Sequence, residues 1–179
     1  MVILLCVFGL AAFWLAGKLC AGILWTANVP TSGGIAMVTN TAIKTILQIN
    51  TPTNQRIKVN EWDIAFNGTS NTAAPILVEL VRQTSAGTGG NALTLIKLNN
   101  SDQETLQTSG QYGPTTTIWT TEPTDSSIIP FCEFVHPQQG YAWRARFGND
   151  LQVQGGTRLG LRVTAAASVN VTARLAAEE

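Results

Sequence analysis

Charge is scarce in this chain: Asp, Glu, Lys and Arg together make up 12% of its residues, against roughly 25% in an ordinary globular protein. Eleven basic residues balance eleven acidic ones, so no net field draws in a polyanion, and binding of nucleic acid through its phosphate backbone is not expected. Histidine is scarcer still. The one histidine, His136, cannot build a multi-histidine metal site, and at a strand end before Pro137 it reads as a structural or solvent-facing group rather than a base. The three cysteines, Cys6, Cys20 and Cys132, contain no Cys-x-x-Cys pair, which leaves no basis for a structural zinc site. Cys132 stands alone in the apolar-rich run 128–135 and is expected to be a small buried hydrophobe. The chain also lacks a Gly-x-Ser-x-Gly elbow, a phosphate-binding loop and a His-Glu-x-x-His run. The expectation is a protein that is not an enzyme, with no catalytic residue, no cofactor and no metal.

What is present is a polar but weakly charged composition in which Thr, Asn, Gln, Ser and Gly fill the polar positions. With 45% of the residues apolar and arranged in recurrent blocks, the composition is that of a folded chain rather than a disordered one. A surface of hydroxyls and amides suits packing against other copies or a partner, because buried charge is costly and a hydroxyl can be satisfied by a neighbour's backbone. A length of 179 residues fits one domain with an appendage.

The appendage is residues 1–22. Residues 2–25 form an apolar run interrupted by one charge, Lys18, and about 20 residues in a helix would match the hydrocarbon thickness of a bilayer. No Lys or Arg precedes the run, as a standard export signal would require, although Ala21 and Gly22 could mark a cleavage site. Four readings stay open: a membrane anchor, a cleaved signal, an apolar helix buried in an assembly, and an extension from an upstream start codon. A membrane contact would run through residues 1–22.

Residues 23–179 read as a β domain. Short β-branched and aromatic runs at 43–49, 56–66, 76–82, 93–98, 128–136, 141–147, 159–164 and 169–175 are separated by Gly, Asn, Pro and Ser clusters. In 56–66 the apolar residues change face midway, which requires a bulge or a sheet crossing at Asn60 or Glu61. Turn signals stand at Asn67-Gly68, Gly89-Gly90, Gln139-Gly140 and Gly155-Gly156. The polar stretch 99–130 is too long for a simple connection and should hold a short edge strand or a functional loop. The expected fold is all-β, an antiparallel β-sandwich of about eight to ten strands, jelly-roll-like or Greek-key rather than a closed barrel.

Two side-chain sets could carry chemistry. Glu61 with Asp63, and Glu79 with Glu133, are carboxylates of the kind a glycosidase needs, but cross-strand pairing with Arg82, Arg144, Arg146 or Arg162 accounts for them more simply. Tyr112, Trp119 and Trp143 are the candidate contact surface, since flat rings stack on sugar faces and anchor interfaces. Trp119, in a Thr-rich loop, is the preferred member; Trp62 reads as core.

Several phrases of the chain resemble a known group: Trp25-Thr26-Ala27-Asn28-Val29-Pro30-Thr31, residues 41–49, Arg56-Ile57-Lys58-Val59 with Glu61-Trp62, and Val78-Glu79-Leu80 followed by Arg82-Gln83-Thr84. Thr121-Glu122-Pro123-Thr124, His136-Pro137-Gln138 with Gly140, and Gly155-Gly156 before Arg158-Leu159-Gly160 belong to the same set. The chain from about Ala21 onward resembles small all-β structural proteins encoded among tailed-bacteriophage virion genes and related metagenomic sequences. The resemblance implies a virion location and a non-enzymatic structural role, as a capsid decoration protein or a minor capsid or tail component. Its partners would be copies of itself, as a homo-oligomer, and other virion proteins. The apolar N-terminus departs from that group and keeps two alternatives open: a secreted or membrane-anchored binding module for carbohydrate, and an extracellular filament subunit.

Overall fold

The computed structural model describes residues 22–30, 39, 41–70, 73–113, 119–146 and 148–179. The expectations for residues 1–21 therefore lie outside the described residues. Those residues form twelve strands and no helix. In chain order they are β1 (Leu24–Val29), β2 (Lys44–Asn50), β3 (Ile57–Phe66), β4 (Ile76–Gln83), β5 (Asn91–Leu93), β6 (Leu95–Lys97), β7 (Ser109–Tyr112), β8 (Phe131–Val135), β9 (Gly140–Arg144), β10 (Leu151–Val153), β11 (Arg158–Thr164) and β12 (Val171–Glu178).

Two antiparallel six-stranded sheets face each other, as in a β-sandwich. The first runs β10-β3-β12-β1-β6, with β9 also paired to β3; the second runs β5-β7-β2-β11-β4-β8. Side-chain alternation explains why these segments stack. In β12, Val171, Ala173, Leu175 and Ala177 are buried while Thr172, Arg174, Ala176 and Glu178 are more exposed, the period-two pattern of a strand with one wet face. Inward residues of both sheets make one core that includes Trp25, Trp62, Ile49, Ile57, Leu80, Leu159 and Leu161. In β2, residues 45–49 are buried throughout, because a segment of chain covers the outer face of that sheet as well.

The change of face in β3 has a local cause. Ala176 of β12 pairs with Glu61 and Ala177 with Val59, so Asn60 is an extra residue, a β-bulge. Ile57 and Val59 before it and Trp62, Ile64 and Phe66 after it are all buried. One added residue shifts a period-two pattern by one position, which keeps both halves of a split apolar set on the core side.

Elsewhere the structure departs from the sequence expectations. Twelve strands replace eight to ten. The run 93–98 is two strands, and the chain switches sheets at Thr94: β5 pairs with β7 in one sheet and β6 with β1 in the other. The strands β1 and β10 were not expected, since β1 begins inside the apolar N-terminal run and β10 is too short to display alternation; β7 is a short strand within 99–130, as one of the two expectations for that stretch had it, but it lies between β5 and β2 and not at an edge. Cys132 is exposed and free, not buried. It sits on the edge strand β8, where it pairs opposite Glu79, a residue that turns away from the core. Its neighbours Phe131 and Val135 take the inward places.

At the flank where β8 and β9 come together, an aromatic cluster closes the sandwich. The Phe131 and Trp143 ring centroids are 4.7 Å apart, those of Trp62 and Tyr141 5.1 Å, and those of Trp62 and Phe131 6.1 Å. Tilted pairs at such separations add to the stability conferred by burial itself. Burial, and secondarily the charge of Glu133, raises the pKa of Tyr141. A raised folded-state pKa means that the neutral phenol is favoured in the fold. Its contribution is complete below the unfolded tyrosine value of about 10 and is lost as pH rises through the folded value. Thermal melts from pH 8 to 11 should therefore show a loss of stability above about pH 10, and the loss should be smaller in Tyr141→Phe. Identical alkaline profiles for the two proteins would contradict this assignment.

Candidate functional site

Residues 119–128 cross the outer face of the second sheet as a strap. Backbone bonds run from Thr120 N to Thr88 O (2.8 Å), Thr84 N to Thr124 O (2.8 Å), Ser126 N to Arg82 O (2.8 Å) and Arg82 N to Ile128 O (3.0 Å). Because this strap hides polar side chains that an ordinary outer sheet face would leave in water, each must find a partner in the protein. Gln48 donates to Gln83 Oε1 at 2.7 Å, and Gln83 donates to Asp125 Oδ1 at 2.9 Å. Thr45 N donates to Glu122 Oε2 at 3.0 Å, and Lys44 pairs with the other oxygen of Glu122 at 3.1 Å.

The centre of this network is Arg162 of β11. Its Nε is 2.8 Å from Glu79 Oε2, its Nη2 is 3.1 Å from Glu79 Oε1, and its Nη1 donates to Asp125. Glu79 is 6% exposed. Burial acts to lower the Arg162 pKa, but the hydrogen bonds and negative charges of Glu79 and Asp125 outweigh it and leave it raised. Glu79, one of the carboxylates for which pairing with an arginine across the sheet was the simpler reading, is thus a covered structural ion. On the first sheet, Glu61 pairs with Arg144 at 3.4 Å and also with Arg174, while Asp63 holds Arg174 at 2.8 Å. Glu61, Asp63 and Glu79 are thus taken up in cross-strand ion pairs, whereas Glu133 is exposed and makes none among the described residues.

The three candidate contact residues do not form a shared platform. Trp119 is 8% exposed, as is Tyr112. The Trp119 indole donates from Nε1 to Thr45 O at 2.8 Å and lies against Gly87, Gly90 and Gly113. A Cβ added at those glycines would come within 2.4, 2.5 and 1.9 Å of the ring. A ring packed into a glycine cradle has no face left for a sugar, so Trp119 pins the strap to the sheet instead of meeting a partner. Residues 114–118 of the same loop lie outside the described residues. Tyr112 belongs to the core on β7. Trp143 is half-buried; it turns toward Phe131 and also lines a shallow hollow of about 460 Å³ with Ala142, Arg144, Arg146 and Asn149.

The apolar surface lies elsewhere, on the sheet edges. At the β6 edge Ile96 is 52% exposed, Leu98 59% and Leu24 41%; at the opposite flank, next to β8, Phe134 is 72% exposed, with Ile128 and Ile129 beside the strand. Edge strands carry unpaired backbone groups, and apolar side chains on them form natural contact surfaces. The sequence signal was present in the apolar runs 93–98 and 128–136, but burial in a core produces the same signal. Among the described residues no three His, Cys, Asp or Glu side chains gather as metal ligands would. Comparison with protein-family models, with curated proteins and with solved structures returns no match.

Proposed function

We propose that this chain is a non-enzymatic structural protein of a virus particle, a capsid decoration protein or a minor capsid or tail component, and that its sandwich is a jelly roll. The observation that carries this proposal is the strand order. Take β1, β2, β3, β4, β8, β9, β11 and β12 as eight successive strands. The first pairs with the eighth, the second with the seventh, the third with the sixth and the fourth with the fifth. That is one long antiparallel ribbon bent back on itself. Rolling the ribbon sets the eighth strand beside the third and the seventh beside the fourth, the connectivity of two nested Greek keys.

Jelly rolls serve viral capsids and lectins alike, and a fold does not by itself select a function. Two features favour assembly. Apolar side chains are exposed at both flanks of the sandwich, on different strands, so one copy can present its β8 edge to the β6 edge of the next in a head-to-tail contact. The balanced charge, eleven against eleven, keeps copies from repelling one another.

The test is the protein content of purified particles. Mass spectrometry and electron microscopy should find the chain in them, and Phe134→Ser combined with Ile96→Ser should leave the fold intact while reducing incorporation at least ~10-fold, as loss of a central apolar contact does. A chain absent from every particle, or incorporated equally well with both edges made polar, would rule the proposal out.

A further inference from the structure

Of the eleven basic residues, Lys18 lies outside the described residues and five have no acidic partner among them; three of these five gather at one flank: Arg56, Arg82 and Arg158. In so weakly charged a protein this is a local concentration of positive charge that no neighbouring carboxylate neutralises.

The cause of the clustering lies in the fold. Along β4 the inward series Ile76, Val78 and Leu80 continues to residue 82, which pairs opposite the inward Leu159. Beyond Leu80, where β8 ends, Ser126 and Ile128 take over the backbone pairing with Arg82, and its side chain continues the core-side series toward β10. There its Nη2 donates to the Gln152 carbonyl on β10 of the other sheet. Arg56 donates to Gln152 Oε1 at 3.0 Å, and Arg158 donates to the Thr84 carbonyl at 3.4 Å. Arg158 Nε is buried with no hydrogen-bond partner among the described residues. All three guanidinium groups are therefore held by neutral oxygens, with most of their donors unused.

Between β4 and β10 these contacts enclose a hollow of about 490 Å³, lined by Arg82, Gln83, Thr84, Ser126, Ile128, Gln152, Gln154 and Thr157. Its volume falls within the range of small-molecule sites, roughly 300–1,000 Å³. No carboxylate lines it. The walls offer a guanidinium, three amides and three hydroxyls around one apolar side chain, a set that matches an oxyanion attached to a hydroxyl-bearing molecule.

We propose that the hollow between β4 and β10 is a binding site for an oxyanion, a carboxylate or phosphate group, with Arg82 as its main ligand and Arg56 and Arg158 at its rim. The group can arrive on an acidic sugar, whose hydroxyls would meet Thr84, Ser126, Thr157 and the glutamine amides, or as a free phosphate. The proposal does not rest on the assembly role: Ile128 of the β8 flank lines the hollow, but its occupancy is read on the isolated protein, without particles.

Isothermal titration of the full-length protein with glucuronate, inorganic phosphate and glucose separates these sources. Glucuronate or phosphate should bind at least ~10-fold more tightly than glucose, and the tighter of the two anions identifies the source. Arg82→Gln should weaken that binding at least ~10-fold, consistent with loss of a charge-assisted contact. Arg158→Gln, on the rim, should weaken it too, and provides the test if Arg82→Gln does not fold. Arg146→Gln, at the other hollow, should leave it unchanged. No heat with either anion up to ~10 mM, glucose binding as tightly as the anions, or anion binding that survives both substitutions would overturn the site.

Discussion

Replacing Trp119 with alanine is expected to cost about 3–5 kcal/mol of folding stability, the range for removing a buried aromatic side chain and leaving a cavity. Few sites in this protein should cost more. The indole fills a cradle whose walls include Gly87, Gly90 and Gly113, and backbone that close cannot move in without breaking the bonds from Thr120 and Thr121 to Thr88. The Thr45 carbonyl would also lose its indole donor inside the protein, an added penalty of roughly 1–3 kcal/mol when no water replaces it. Urea unfolding followed by circular dichroism should show the midpoint fall by about 2 M. Trp119→Phe should keep part of the packing and fall between the two. If Trp119 were a contact residue, Trp119→Ala would leave the midpoint almost unchanged, and that result would refute its structural role.

Arg162→Met is expected to destabilise the fold by about 3–5 kcal/mol, because it leaves Glu79 buried without a counter-ion. The informative comparison is with the double substitution Glu79→Leu with Arg162→Met. Removing both charges removes the desolvation cost with them, so the double variant should recover most of the loss and lie within about 2 kcal/mol of the parent. Asp125 would then lose its arginine, but it keeps the hydrogen bond from Gln83 and is more exposed than Glu79. Additive losses in the double variant would show that Glu79 and Arg162 act separately and would contradict the pairing. Neither change should alter the exposed edges at Phe134 or Ile96, so association can be measured independently of this network.

The strand content was legible from the chain because alternation is a local property. In β12 each buried residue is two positions from the next, and in β11 the apolar Leu159, Leu161 and Val163 are; a strand with one face in a core needs nothing more. The change of face at Asn60 or Glu61 was legible for the same reason, and the register against β12 decided that it is a bulge at Asn60 and not a sheet crossing. The split at Thr94 was not, since both halves are apolar and only their partners reveal that they belong to different sheets. Short strands such as β7, with the sequence Ser-Gly-Gln-Tyr, depend on a neighbour's ladder for their existence.

The candidate contact surface was the least legible part. A tryptophan in a Thr-rich loop has the same local sequence whether it faces a partner or folds down onto a sheet. For Trp119 the difference lies in three glycines at positions 87, 90 and 113, brought together by separate segments. Cys132 and Phe134 show the converse, since an apolar residue on an edge strand and one in the core are written alike. The convergence of Arg56, Arg82 and Arg158 likewise needs the two sheets to meet at β4 and β10.

Composition, charge and period-two alternation established an all-β chain with little net field, because each of those properties sums over residues or acts between near neighbours. The pairing of strands far apart in sequence established everything else: which carboxylates are neutralised by which arginines, that the strap buries Trp119, that apolar side chains line the edges, and that positive charge collects at one flank. These are relations between segments as far apart as Ile23 and Glu179, and they come into being only when the strands pair.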